Sequence, residues 1–181
     1  MTMLAFALIS VFPALMLAAA LKDVASMTIP NWLTGALALA FLPASFAIGA
    51  PIPTIGLHLA IGMAGLAFGV GLFAAGWLGG GDAKLLAAGA LWLGWPDTAA
   101  FLLWTAIGGG VLAVVLLSAR KLAPAFSVRG PAWAGRLLEP KGDVPYGVAI
   151  AFGALMVSRK VRSRRVFSPS AETDRSRLGR R

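Results

Sequence analysis

The chain has 181 residues, 59% of them hydrophobic and 13% charged, where a soluble domain carries roughly a quarter charged residues; this is the composition of an integral membrane protein. No cysteine is present, which excludes disulfides, thiol nucleophiles, thiolate zinc sites and iron–sulfur clusters, and the single His58 cannot build a histidine metal site. The net charge of +9 does not point to nucleic acid, because the sixteen Lys and Arg residues are confined to particular segments.

Six apolar segments follow one another: Met3–Leu21, Trp32–Ala50, Ile55–Leu78, Leu85–Trp95, Thr98–Ala119 and Val144–Val157. Four are near or above the ~20 residues with which a helix crosses a bilayer. The expectation is an all-α integral membrane protein with about six transmembrane helices, the fourth and sixth being short. Ala18, Ala19 and Ala20 close the first segment as a signal-peptide site would. No basic residue precedes Lys22, however, so the basic leading region of a signal peptide is missing and a retained helix is expected.

Lys22, Lys84, Arg120, Lys121, Arg129, Arg136 and Lys141 all lie after the first, third and fifth segments, and the connections around 49–54 and 96–97 hold no basic residue. By the positive-inside rule the basic connections face the cytoplasm, with catalytic loops expected there. The connection Arg120–Asp143 carries Pro124, Gly130, Pro131, Gly135, Pro140 and Gly142, a composition that argues for a mobile loop without a long regular element. Residues 1–158 read as one membrane domain. Residues 159–181, rich in Arg and Ser, read as a basic, disordered tail. A complete sixth span would place that tail outside, against the rule that places basic residues inside, and the two arguments stand unreconciled. Gly62, Gly65, Gly69 and Gly76 in the third segment, and Gly108–Gly110 in the fifth, are positions for close helix packing.

Between Asn31 and Ala119 the only formal charges are Asp82, Lys84 and Asp97. Carboxylates near hydrocarbon are expensive and mark a site or pair with a cation. Asp23 follows the first segment in LKDVASMTIPN, and Asp82 opens the fourth in GGGDAKLL. The topology brings both to one face at the ends of separate helices. Two close carboxylates cannot both ionise easily, so one holds a proton and the titration belongs to the pair. Such a dyad hydrolyses a peptide without metal or cofactor: the charged member takes a proton from the attacking water and the protonated member donates to the carbonyl oxygen.

Gly79, Gly80 and Gly81 present no side chain to a substrate and permit backbone conformations that other residues resist. Lys84 either biases the charge of Asp82 or reaches the lipid headgroups. Taken alone, Asp23 beside Lys22 also fits an interfacial charge, and Asp82 a helix cap after a glycine turn. Asp97 reads as a turn or cap residue, Asn31 as a helix cap, and His58 as a helix residue near the outer boundary. A small proton- or cation-coupled transporter subunit using Asp23 and Asp82 as a relay is the alternative, and a packing scaffold is a third. A relay calls for ionisable groups near mid-span, whereas both aspartates sit at helix ends.

Asp23 with Ile29-Pro30-Asn31, then Gly79-Gly80-Gly81-Asp82-Ala83-Lys84-Leu85, then Val144-Pro145-Tyr146-Gly147-Val148-Ala149-Ile150, resembles the type IV prepilin peptidases, which are GxGD-type aspartic peptidases. The likeness is to their short form found with Flp-type, tight-adherence pilus systems, and it covers about residues 3 to 157. The resemblance implies an intramembrane aspartic endopeptidase of the bacterial inner membrane that removes the short basic leader of prepilins at the cytoplasmic face. Asp23 and Asp82 match the family's catalytic aspartates. Gly79, Gly80, Gly81 and Lys84 are then expected at the substrate, with no metal and no cofactor. The expected partners are the prepilin, the lipid bilayer and the pilus assembly machinery. The chain departs from longer members in lacking their cytoplasmic insertion with paired cysteines, and the tail matches nothing in the family pattern.

Overall fold

The computed structural model describes residues 3–122, 132–139 and 142–167, with the side chains at 5, 132, 134 and 159–167 outside that description. Seven helices and no strand lie among the described residues: α1 (Met3–Ser26), α2 (Asn31–Ala47), α3 (Ile52–Ala74), α4 (Gly80–Leu93), α5 (Asp97–Leu122), α6 (Ala132–Leu138) and α7 (Tyr146–Phe167). The all-α fold follows from the apolar segments, each of which appears as a helix with shifted ends.

Short α4 is the centre of the bundle. It packs against α2, α3, α5 and α7 and buries Ala83, Leu85, Leu86, Ala88, Gly89, Ala90 and Leu91. A helix apolar on all sides is stable when neighbours cover it, and the neighbours here cover most of α4. Its length of 14 residues is about 21 Å at 1.5 Å per residue, short of a ~30 Å hydrocarbon core.

That corrects the count of six spans. Among the described residues three helices are long and apolar enough to cross a bilayer, within α1 (Phe6–Ser26), α3 and α5, while Asn31–Ala47 and Tyr146–Ser158 are shorter apolar helices. The apolar runs were right as helices. What reduces the count is that a helix sheltered by its neighbours does not have to match the lipid thickness by itself. Outward faces remain apolar, with Leu39, Met63, Phe68, Val111 and Val114 all exposed, as a bilayer requires of its protein surface.

The core gathers Phe12, Met16 and Ala19 of α1, Leu33 and Leu37 of α2, Leu85 and Leu86 of α4, Phe101 of α5, and Ile150, Ala154 and Val157 of α7. Helix α3 reaches α4 through small residues. A Cβ on Gly62 would stand 2.9 Å from Leu91 Cβ, one on Gly65 2.9 Å from Ala90 Cβ, and one on Gly69 3.1 Å from Ala83 Cβ. These glycines let the two backbones approach, as expected. Gly108 likewise abuts Phe152, but Gly110 faces open space and Gly76 is a turn residue with φ +73°.

The expected mobile loop after α5 contains the seven-residue α6, and its residues 123–131 and 140–141 lie outside the described residues. Buried Arg120 ties this connection down: its Nε donates to Leu137 O at 2.9 Å and its Nη2 to Asp143 O at 2.7 Å. Helix α7 runs past residue 158 to Phe167, and residues 168–181 of the expected tail are outside the described residues.

Candidate active site

Helix α1 does not stop where its apolar run ends. It continues through Lys22 and Asp23 to Ser26, and Met27 closes it with a left-handed φ of 52° and an N–H donated to Asp23 O at 2.7 Å. Asp23 therefore occupies the last turn, 4% exposed. Asp82 is in the first turn of α4, where the helix dipole favours a negative charge. Gly79 is the N-cap of that helix.

The two carboxylates, 59 positions apart in sequence, line one cleft of about 240 Å³ together with Met27, Thr28, Ile29, Gly79, Gly80 and Gly81. They are close enough to act on each other electrostatically. Asp23 Oδ2 accepts the backbone N–H of Gly147 at 2.7 Å, so the start of α7 fixes that carboxyl in place. Asp82 Oδ1 is enclosed with no hydrogen-bond partner among the described residues. A buried acceptor left in this state is costly, and it is a natural place for a proton, a water or a substrate group to bind. Among the described residues no three His, Cys, Asp or Glu side chains gather as a metal site requires.

The glycine run works by close approach rather than by unusual dihedrals. Gly79 has φ −70° and ψ 150°, open to any residue, and among the described residues the glycines with positive φ are Gly49, Gly76 and Gly94. A Cβ on Gly79 would stand 2.9 Å from Asp82 Oδ2, and one on Gly81 3.1 Å from Ile29 Cβ and 3.2 Å from Ile29 O. A Cβ on Gly80 would meet only the Phe73 ring, at 3.6 Å or more. The expectation that glycine freedom shapes this loop is thus replaced by one of steric room.

Lys84 stands outside the cleft lining and donates to Asn31 Oδ1 at 2.8 Å. Asn31, expected as a cap, is the first residue of α2, whose N-cap is Pro30. Asp97, expected as a turn or cap residue, is the first residue of α5, where the helix dipole favours its charge. His58 Nδ1 lies 2.8 Å from Leu91 O, and its ring stacks on Phe41, which is a packing role. Sequence reasoning missed Met27 and Thr28 in the cleft and the Gly147 amide at Asp23. The Tyr146-Gly147 motif was a signal for the last of these, but a backbone donor has no side chain to advertise it.

The fold and site together define an all-helical membrane protein whose carboxylate pair is built from the ends of two helices. A model of the type IV leader peptidase family matches residues 10–114, more than half of the chain and inclusive of both aspartates, and the chain belongs to that family. No curated protein and no solved structure matches it. Membership makes it a leader peptidase of the kind that processes prepilins.

Proposed function

We propose that this peptidase is an intramembrane aspartic endopeptidase in which Asp23 and Asp82 are the catalytic pair, cleaving the leader of Flp-type prepilins at the cytoplasmic face of the inner membrane. The observation that carries this reading is the shared cleft: two otherwise costly carboxylates, far apart in sequence, line the same small space. One carboxylate takes a proton from the attacking water while the other donates to the scissile carbonyl oxygen, and the roles reverse when the amine leaves.

The cleft volume of about 240 Å³ is well above the ~10–15 Å³ of probe-occupied space that one water needs. It admits a short run of extended backbone with small side chains. Gly79–Gly81 form the wall along which that backbone lies, and the pilin's apolar helix rests against the membrane helices. The Flp-type assignment rests on the motifs around Asp23, Asp82 and Tyr146. The side of the membrane rests on the basic connections, since Arg136 of α6 donates to Ala25 O near the end of α1 and so belongs to the same end of the bundle as the cleft. Co-expression with an Flp-type prepilin tests the proposal. Leader loss with the wild-type chain, absent with Asp82→Asn, supports it; an unprocessed prepilin with the wild-type chain refutes it.

A further inference from the structure

The cleft is lined by two stretches of chain, 23–29 and 79–82, and a side-chain bond links the segments that carry them. Asn31 begins α2 at the end of the 27–30 connection, whose Met27, Thr28 and Ile29 line the cleft. Lys84 lies two residues beyond Asp82, in the same turn of α4. Its ammonium reaches across to Asn31 Oδ1 at 2.8 Å, which joins the wall leading from Asp23 to the helix carrying Asp82.

The apolar packing beneath the bond has little tolerance. Ile29 presses on Gly81, whose Cβ would be 3.1 Å from Ile29 Cβ, and on Gly147, whose Cβ would be 2.8 Å from Ile29 Cδ1. Gly81 neighbours Asp82, and Gly147 holds Asp23. A shift of the 27–31 connection therefore moves both carboxylates. Packing alone opposes compression of this contact but does little against separation, since dispersion attraction between any two atoms is small. A directional, charge-assisted hydrogen bond opposes separation.

We propose that Lys84 and Asn31 form a clamp that holds Asp82 in register with Asp23, making Lys84 a positioning residue rather than a group that binds the substrate. This deepens the aspartic-dyad reading and rests on it. The clamp keeps the 27–31 connection against α4, so the two carboxyl groups stay at the separation their shared chemistry needs. A small misplacement of reacting groups costs up to a hundredfold in rate, and the expected effect is on turnover.

The test compares Lys84→Met, Asn31→Leu, the double variant and Asn31→Asp with the wild type, using purified protein in detergent and an Flp-type prepilin. Loss of the clamp is expected to lower kcat roughly ten- to a hundredfold in each single variant with KM within twofold of wild type. The double variant is expected to be no worse than the poorer single, and Asn31→Asp to retain activity because its carboxylate still accepts from Lys84. A raised KM in Lys84→Met beside a normal Asn31→Leu would make Lys84 a substrate contact. Wild-type rates in all variants would leave Lys84 as a headgroup anchor, and either result overturns the proposal. Thermal unfolding of the same variants reads the bond without any substrate: the double variant should lose no more than the larger single loss, whereas simple additivity overturns the clamp. That readout stands even if the dyad reading itself fails, which prepilin cleavage by Asp23→Asn or Asp82→Asn would reveal separately.

Discussion

Gly147, in the first turn of α7, donates its backbone N–H to Asp23 Oδ2 at 2.7 Å. The absence of a side chain there is structural, because a Cβ would sit 2.8 Å from that oxygen and 2.8 Å from Ile29 Cδ1. Gly147→Ala is expected to displace Asp23 and lower prepilin cleavage at least tenfold. A processing assay checks it, alongside a melting curve showing that the variant still folds; near-normal cleavage would mean the amide is incidental.

Asp23→Asn and Asp82→Asn are each expected to abolish cleavage while leaving membrane insertion intact, since Asn keeps the size and loses the acid. The mobility shift of a co-expressed prepilin is the measurement. Appreciable processing by either variant removes that residue from the pair.

The three glycines before Asp82 should not respond alike. Gly80→Ala meets the Phe73 ring at ordinary contact distance, while Gly79→Ala crowds Asp82 Oδ2 and Gly81→Ala crowds Ile29. Cleavage rates are expected to stay within a few-fold of wild type for Gly80→Ala and to fall by tenfold or more for the other two. Equal effects at all three positions would show that the run is needed for flexibility after all.

Arg120 is buried and its two bonds hold the connection that carries α6. Arg120→Met is expected to cost about 2 kcal/mol, from carbonyls that lose a charged donor, and to speed hydrogen exchange across residues 132–143. Unchanged exchange in that segment, followed by mass spectrometry, would contradict this.

Reporters fused after Ala50 or Asp97 are expected to register outside, and one within 120–143 to register in the cytoplasm, because basic residues are so unevenly shared among the connections. The reverse pattern would set the cleft on the other face and end the cytoplasmic reading.

Much of this was legible because charge is conspicuous in an apolar chain. Asp23 and Asp82 stood out against their surroundings, and the positive-inside rule placed them at one end before any contact was known. The helices were legible as apolar runs, but their ends were not: α1 passes beyond Leu21 to Ser26 and α7 beyond Val157 to Phe167, since a helix tolerates polar residues wherever its backbone bonds continue. The reach of Lys84 to Asn31 was hidden because 53 positions separate them. The shortness of α4 could be read from the sequence but its central, sheltered place could not, because hydropathy records how apolar a segment is and not whether protein or lipid surrounds it.

Helix α7 comes last among the elements that build the cleft, and the residues matched by the family end at 114, well before it. Asp23 and Asp82 are both synthesised by the time α4 emerges, yet the amide that fixes Asp23 belongs to a helix made more than sixty residues later. Until α7 is made, Asp23 lacks the backbone donor that holds its carboxyl. On the aspartic-pair proposal, a chain truncated after Leu122 keeps both aspartates but loses that donor, and it is expected to leave a co-expressed prepilin unprocessed.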